Sequence, residues 1–348
     1  MTTRSRRLKI AFLQKNLPPS GMGGVAYQVD LLAQSMVQRG HDLTVFTMGP
    51  APRDASYRVT RLPQPRKHPA SAIFGAGWAA REIELAKFDV VHAHGDAWAI
   101  PHGPVVRTFY GTAIREAIAA TSVKRRLAQS VYYGLEVVSS MRAAVTTAIS
   151  HHTRRWVPGI DYVIPCAVDP AFRPGLVEHR FQEPTILFVA GLLGGRKRGN
   201  LAIAAFKEVR RHEPQTRMII VSRDRVDEPG ILSLGNLPKA KLAELYQRSW
   251  VLCSASSYEG FGLPLAEALS AGLPVVSTSN PGAQEVLKDG ELGSIVQPSA
   301  LSSALLEVIC DPTCAADLRA RGLKASEKYT LDAVCEQYEK TYLEAIGK

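Results

Sequence analysis

Short runs of apolar residues alternate along the chain with longer segments whose apolar positions repeat every three or four residues. The short runs are typical of strands buried on both faces, and the longer repeats are typical of helices. Such an alternation predicts βαβ units and a parallel sheet. In the first half, the predicted strands are 8–13, 43–47, 89–93, 105–109 and 145–149, with a helix at 25–39.

A second series of the same kind begins at residue 185. Its predicted strands are 186–190, 217–222, 232–234, 251–254 and 274–277, and its predicted helices are 200–211, 239–248 and 263–271. Three prolines and a mixed polar composition favour a linker at 170–184. We therefore predict an N-terminal domain at 1–169, completed by a C-terminal helix at 331–348, and a second domain at 185–330.

Composition fits a folded protein of two domains, since the chain has 348 residues, of which 46% are hydrophobic. The net charge of +10 suggests an anionic partner: nucleic acid, an anionic membrane or a phosphorylated small molecule. Five cysteines without C-x-x-C spacing argue against a disulfide framework or a zinc site. Without a recognisable signal peptide or a membrane-spanning apolar run, we expect a cytoplasmic protein able to contact the inner membrane face.

The segment 257–268 places Glu259 and Glu267 eight residues apart, around a loop that holds Gly260 and Gly262. Glycines let the backbone approach a ligand closely, and the helix predicted to follow offers unpaired N–H groups to an anion. A carboxylate at Glu267 suits ribose hydroxyls, and Glu259 can hydrogen-bond a sugar. The alternative is a plain loop-to-helix junction, with Glu259 solvated and Glu267 interacting with the helix dipole.

Three consecutive cations, Arg196, Lys197 and Arg198, lie between glycines at the end of a predicted strand. This arrangement suits a diphosphate, although the loop matches neither the Walker A pattern nor G-x-G-x-x-G. The alternative is a solvated basic loop, which we expect more for Arg198 than for Lys197.

A glycine-rich loop, 21–24, follows the first predicted strand. It lacks the G-x-G-x-x-G spacing, and no acidic residue closes the second strand, so the pattern disfavours a Rossmann dehydrogenase. The loop is either a simple turn or one that approaches a phosphate or sugar. His92 and His94 lie at the end of a predicted strand, with Asp96 nearby. Strand-end histidines are more often structural or substrate-contacting than metal ligands, so we predict no metal site.

The segment 121–142 combines the consecutive cations Lys124, Arg125 and Arg126 with apolar residues at helical spacing. It is either an interfacial membrane patch or, in the simpler interpretation, a helix with one buried face and a solvated basic face. The cations elsewhere are spread along the chain without a nucleic-acid-binding module, so we expect no nucleic-acid partner.

Together these motifs resemble the retaining glycosyltransferases of family 4, also known as glycosyl transferases group 1. The resemblance covers nearly the whole chain and is more specific in the second half. There it rests on 186–191 with Lys197, 234–235, 242–246, 258–268, 271–275, Gly282 with Glu285, and 289–293. In the first half it rests on 23–24, 89–94, 109–111, 148–150, 164–165 and 168–169.

The resemblance implies the GT-B fold, an α/β architecture of two doubly wound Rossmann-like domains facing across a cleft. It implies metal-independent transfer of a sugar from a nucleoside-diphosphate sugar to an acceptor hydroxyl, with retention of anomeric configuration and without a cofactor. The acceptor, still unknown, is expected on the N-terminal domain and the donor on the C-terminal one. Two alternatives stay open: a sugar-nucleotide epimerase on the same fold, and a catalytically inactive nucleotide-sugar binding protein.

The resemblance also implies roles for individual residues. Lys197 and Glu259 would be catalytic, and Glu267 would hold the donor ribose. The further donor-binding residues would be Gly23, Gly24, Gly191, Gly235, Gly260, Phe261, Gly262 and Leu263.

Two positions depart from the family pattern. Leu192 stands where the family usually has arginine, and we expect Arg196 to supply the missing catalytic cation. Tyr110 stands where the family usually has a histidine that contacts the donor sugar. Its phenol can donate a hydrogen bond but stays neutral at pH 7, so Tyr110 and His94 are candidate sugar or acceptor contacts.

Overall fold

The computed structural model describes residues 6–19, 23–63, 74, 77–95, 97–119 and 122–348. The chain divides into two compact units, one formed by 1–167 with 331–348 and the other by 168–330. The predicted linker, 170–184, lies within the second unit. There the Phe181 amide donates to the Arg248 carbonyl at 2.9 Å, and Trp250 Nε1 donates to the Phe181 carbonyl at 2.9 Å.

The first unit contains a parallel sheet of seven strands in the order β3-β2-β1-β4-β5-β6-β7. Its strands are β1 Lys9–Leu13, β2 Asp42–Thr47, β3 Arg58–Arg61, β4 Val90–Ala93, β5 Val105–Phe109, β6 Val145–Ala148 and β7 Tyr162–Val163. Its α-helices with defined bounds are α1 Gly24–Gln38, α2 Ala113–Ala119, α3 Val123–Arg142, α4 His151–Arg154 and α11 Leu331–Gly347.

Both faces of this sheet are buried, which explains why its strands are continuous apolar runs. Along β1, Ile10 and Phe12 join a core cluster with α1 and α11, whereas Ala11 and Leu13 join a second cluster on the opposite face. Alternate side chains of a strand point to opposite faces, so the strand contributes to a core on each side of the sheet.

The second unit contains a parallel sheet of six strands in the order β10-β9-β8-β11-β12-β13. Its strands are β8 Thr185–Val189, β9 Arg217–Val221, β10 Ile231–Leu234, β11 Val251–Ser254, β12 Val275–Thr278 and β13 Ser294–Val296. Its α-helices are α5 Gly199–His212, α6 Lys239–Arg248, α7 Leu263–Ala271, α8 Pro281–Val286, α9 Leu301–Cys310 and α10 Pro312–Ser326.

The structure confirms every predicted strand and adds three that the apolar pattern did not reveal. Strand β3 is largely exposed and begins and ends with arginine, β7 has two residues, and β13 has three. All three lie at the edges of their sheets and are too short or too polar to form an apolar run. In the described part of the chain, the helices are too short or too polar to cross a membrane.

Candidate functional site

In the second unit, the loop between β8 and α5 directs the side chains of the three consecutive cations into different surroundings. It forms a 3₁₀ turn, Gly195–Lys197, after which Arg198 adopts a left-handed conformation with φ of 48°. Arg198 points inward: its Nε donates to the Ala255 carbonyl at 2.7 Å, and its second terminal nitrogen donates to Thr278 Oγ1 at 2.8 Å. The expectation that Arg198 is solvated was therefore wrong, because the guanidinium ties the loop to the ends of two strands.

Lys197 and Glu259 form the ion pair at the centre of this site. Lys197 Nζ donates to Glu259 Oε1 at 2.6 Å, and Ser256 Oγ donates to the same oxygen at 2.7 Å. The two charged side chains are only 20% and 13% exposed. Since a partly buried pair is costly to break, each partner fixes the position of the other. Glu259 is therefore not the solvated side chain of a plain loop.

The backbone joins the two loops of the site. The Arg196 carbonyl accepts from the Ser257 amide at 2.8 Å, while the Arg196 side chain is exposed to solvent. Lys197, Glu259 and Gly262 line one small cavity above the carboxyl ends of the strands. The structure therefore brings together residues that lie more than sixty positions apart in the sequence.

Glycines let the loop before α7 pack tightly. Gly262, the residue that precedes the helix, has φ of +92°, in the left-handed region that favours glycine. A Cβ on Gly282, at the start of α8, would lie 2.7 Å from the Phe261 carbonyl oxygen and 2.8 Å from Glu259 Cβ. Any side chain at position 282 would therefore displace the loop that carries Glu259.

The start of α7 lies beside the cavity and can offer backbone N–H groups to an anion. Pro264 has no N–H and the Leu265 amide donates to the Gly262 carbonyl at 2.8 Å, so the donors for such an anion are the Gly262 and Leu263 amides. Leu263 is the first residue of the helix. The Phe261 side chain, in contrast, is buried and packs edge-on against Tyr329 with ring centroids 5.7 Å apart. The Phe261 side chain therefore anchors the loop in the core, so a ligand would contact this residue through its backbone.

Glu267 lies one turn into α7 and is held by Tyr246, a residue that the sequence analysis did not single out. Tyr246 Oη donates to Glu267 Oε2 at 3.1 Å. Burial raises the pKa of the Glu267 carboxyl to about 7, although the Tyr246 hydroxyl and the charge of Lys239 lower it. Tyr246 belongs to the apolar pattern of α6, so only the folded structure shows its phenol reaching a carboxylate.

The remaining glycines predicted to bind the donor stand in open surroundings. A Cβ on Gly191 or Gly235 would meet nothing within 4 Å, so packing does not require glycine at either position. The Gly191 carbonyl accepts from the amide and Nε of Arg223, both at 3.3 Å. In the first unit, Gly23 is the N-cap of α1 and Gly24 its first residue, while Gly21 of the same motif lies outside the described residues.

Neutral polar side chains occupy the carboxyl ends of β4 and β5 in the first unit. His94 Nδ1 lies 3.0 Å from Tyr110 Oη, and His92 is held by Tyr342 Oη at 2.8 Å and Thr108 Oγ1 at 2.7 Å. The two imidazole rings lie 3.8 Å apart. Burial lowers the pKa of both histidines, and their mutual proximity lowers the pKa of His94 further.

One nitrogen of this cluster is buried without a partner in the described part of the chain: His94 Nε2. The nearby Arg107 is also buried, with one terminal nitrogen donating to the Thr108 carbonyl at 2.6 Å and its guanidinium 4.4 Å from the Phe109 ring centre. Its positive charge also lowers the pKa of the histidines. Asp96, the third residue considered as a metal ligand, lies outside the described residues, among which no group of three or more ligating side chains could hold a metal ion.

Two family models match successive parts of the chain. The model described as Glycosyltransferase Family 4 matches residues 22–172, and the one described as Glycosyl transferases group 1 matches residues 177–325. A phosphatidyl-myo-inositol mannosyltransferase of Mycobacterium tuberculosis is 28% identical, over 93% of this chain and 94% of the relative.

Solved structures show the same fold at lower sequence identity. Sucrose-phosphate synthase from Thermosynechococcus elongatus superposes with a TM-score of 0.77 and 20% identity, over 97% of this chain and 98% of that one. HepE from Anabaena, in complex with UDP and glucose, superposes with a TM-score of 0.74 and 17% identity, over 96% and 99% of the two chains. The predicted GT-B fold is confirmed.

Proposed function

Because the chain belongs to glycosyltransferase family 4, we propose that it transfers a sugar from a nucleoside-diphosphate sugar to an acceptor hydroxyl with retention of anomeric configuration. The observation that carries this proposal is the Lys197–Glu259 pair beside the first turn of α7. A cation and a helix start together suit the diphosphate of such a donor. The HepE structure, which contains UDP and glucose, supports this class of donor.

The proposed chemistry needs stabilisation of a departing diphosphate. The bond between the sugar C1 and the diphosphate oxygen breaks, and the acceptor oxygen bonds to C1 on the same face. The proton of the acceptor hydroxyl passes to an oxygen of the departing phosphate. Lys197, the exposed Arg196 and the N–H groups of Gly262 and Leu263 stabilise the developing negative charge, which is usually the largest catalytic contribution.

The other donor contacts follow from the same placement. Glu259, fixed by Lys197 and Ser256, accepts hydrogen bonds from the transferred sugar, and Glu267 accepts them from the ribose. We propose that Gly23 and Gly24, with Tyr110 and His94, contact the donor or acceptor from the first unit. No metal or cofactor is needed in this scheme, because protein cations and helix amides meet the diphosphate.

Peripheral contact with an anionic membrane is also part of the proposal. One relative is named as a phosphatidyl-myo-inositol mannosyltransferase, and phosphatidylinositol is a membrane lipid.

The proteins named above include a mannosyltransferase and a synthase, so they do not favour the epimerase or inactive-protein alternatives.

A thermal-shift screen with UDP, GDP, ADP and their sugars tests donor binding. A nucleotide at 100 times its dissociation constant adds about 2.7 kcal/mol to the free energy of unfolding, which raises the melting temperature measurably. If no nucleotide raises it, the proposed donor site is wrong.

The donor identified in this way allows the reaction itself to be tested. The anomeric configuration of the product, measured by NMR, tests retention, and activity that persists in EDTA supports a metal-independent reaction. A donor converted to its epimer without an acceptor would overturn the transferase assignment.

A further inference from the structure

Helix α3 packs on the first unit through one face. Tyr133 Oη donates to the Trp156 carbonyl at 3.0 Å, Glu136 Oε2 accepts from the Ala113 amide at 2.9 Å, and Ser140 Oγ donates to the Pro158 carbonyl at 2.8 Å. These three side chains are spaced three or four residues apart, so they lie on one face of the helix.

The opposite face of α3 is apolar and exposed. With 3.6 residues per turn, five apolar side chains fall within about 80° of one another, on the side away from the packed face. We call them the α3 stripe: Val123, Leu127, Val131, Val138 and Met141, which are between 38% and 78% exposed. The simpler interpretation of the sequence expected a solvated basic face, whereas the centre of the exposed face is hydrophobic.

Cations flank the α3 stripe on both sides. By the same helical geometry, Lys124 and Arg142 border it on one side and Arg126 on the other, and all three are exposed. The only acidic residue of α3 is Glu136, which lies on the packed face. The stripe therefore has positive charge beside both of its ends, on both sides at its N-terminal end and on one side at its C-terminal end.

The position of these charges works against the stability of the helix itself. Lys124, Arg125 and Arg126 occupy the first turn of α3, where no acidic residue lies. Cations at a helix N-terminus are unfavourable because the macrodipole is positive there. Arg125 is offset by Glu116 at 2.9 Å, on the side of the helix away from the stripe. An external anion would offset the cations that border the stripe.

We propose that the α3 stripe and its flanking cations lie on the surface of an anionic phospholipid membrane. The apolar side chains would enter the boundary between headgroups and acyl chains, and the cations would meet the phosphates. A second copy of the chain fits this face poorly, because pairing two such faces would bring cations together. The helix would lie in the plane of the membrane, consistent with its polar packed face.

An exposed aromatic side chain, Trp78, is connected to the C-terminal end of α3 through Trp98. Arg142 donates to the Trp98 carbonyl at 3.0 Å, and the Trp98 ring lies 6.1 Å from that of Trp78, which is 50% exposed. Tryptophan is favoured at membrane interfaces. The inference deepens the membrane contact of the proposed function, and its test requires neither donor nor acceptor.

Co-sedimentation of the full chain with vesicles tests the surface directly. We expect binding to vesicles of phosphatidylglycerol mixed with phosphatidylcholine, little binding to pure phosphatidylcholine, and loss of binding as salt is raised. The double variant Leu127→Ser, Val131→Ser removes two stripe side chains and should weaken vesicle binding about tenfold or more. The matched control, Leu343→Ser, changes an exposed leucine of α11 in the same unit and should bind like the wild type.

The cations are tested separately. Lys124→Ala and Arg126→Ala should each weaken binding about fivefold, as expected for one charge near an anionic surface. The control Lys340→Ala removes an exposed charge of α11 and should change nothing.

Three results would overturn the inference. One is a wild-type chain that ignores anionic vesicles while still being stabilised by a nucleoside diphosphate, which would leave the donor site intact. Another is undiminished vesicle binding by the stripe variant. The third is self-association that the stripe variant abolishes, measured by sedimentation velocity, which would assign the face to a second copy. A melting temperature of each variant close to that of the wild type shows that folding is not the cause.

Discussion

The two units order their strands alike, and their corresponding loops carry opposite kinds of chemistry. In each sheet the first strand of the unit lies inside, and β4 and β11 occupy the same relative place beside it. The loop after β11 carries Glu259, charged and paired with Lys197, whereas the residue after β4 is His94, buried and neutral beside another imidazole.

The difference shows how one topology can place different side-chain chemistry at the same position of a sheet. In open parallel sheets, ligands bind at the carboxyl ends of the strands, and the side chains at those ends determine which ligand binds. In the second unit the cations and helix amides suit an anion. In the first unit, two adjacent imidazoles near Arg107 disfavour a further positive charge, so Tyr110 and His94 suit neutral hydroxyl groups.

The strongest test of this contrast removes the cation. Lys197→Ala should reduce turnover about 10²–10³-fold, because a preorganised group that stabilises the leaving group is lost. Turnover is measured with the donor that the thermal-shift screen identifies. Lys207→Ala, at an exposed lysine paired with Glu228 at 2.8 Å, is the matched control. Unchanged turnover in Lys197→Ala would remove the charged half of the comparison.

The next test displaces the loop that carries the carboxylate. Gly282→Ala should cost about 1–3 kcal/mol of unfolding free energy, because its Cβ would overlap the Phe261 carbonyl, and it should weaken donor binding. Urea denaturation measures the first effect and nucleotide titration the second. Gly134→Ala, on the exposed side of α3 where a Cβ meets nothing within 4 Å, should instead stabilise the chain slightly. Wild-type behaviour of Gly282→Ala would show that the loop tolerates the shift.

Glu267 gives the second unit a dependence on pH opposite in sign to that of the buried histidines His92 and His94 in the first unit. Its pKa is raised from 4.5 to about 7, so the folded state holds this proton more tightly than the unfolded chain. The unfolding free energy should therefore fall as pH rises from about 4.5 to 7, by on the order of 3 kcal/mol from this group. Glu267→Gln should remove that slope, measured by denaturation at several pH values without donor. Glu178→Gln, at an exposed carboxylate, should keep it, and a slope retained by Glu267→Gln would contradict the assignment.

The smallest expected effect concerns the neutral cluster. Tyr110→Phe should lower the unfolding free energy by about 1 kcal/mol, because His94 Nδ1 loses its 3.0 Å partner. Tyr162→Phe removes a hydroxyl that donates to Glu344 at an exposed position, and it should cost less. A larger loss in Tyr162→Phe than in Tyr110→Phe, by chemical denaturation, would contradict the view that the buried pair supports the first unit.

The sequence predicted the sheets well because strands buried on both faces are apolar throughout. The pattern failed for β3, whose arginines belong to an exposed edge, and for β13, which is too short to show a period. At the site, a local motif predicted the glycines and carboxylates of 257–268. No motif predicted that Arg198 turns inward or that Tyr246 reaches Glu267, because both depend on contacts between elements distant in the sequence.

Gly282 illustrates the same limit in a different way. The resemblance to the family included this glycine without giving a reason for it. The reason is the close approach of the Phe261 carbonyl oxygen, which would lie 2.7 Å from a Cβ at position 282. A motif identifies the residue, and packing explains why no side chain fits there.

Helix α11 determines when the first unit can complete its folding during synthesis. Its Val334, Tyr338 and Tyr342 are buried in the core of the first unit, and Tyr342 holds His92 at 2.8 Å. The ribosome must therefore translate the whole second unit before the first can close its core. At a synthesis rate of about 5–20 residues per second, the first unit stays incomplete for roughly ten seconds or more. During that time the apolar core surface that α11 will cover is accessible to chaperones.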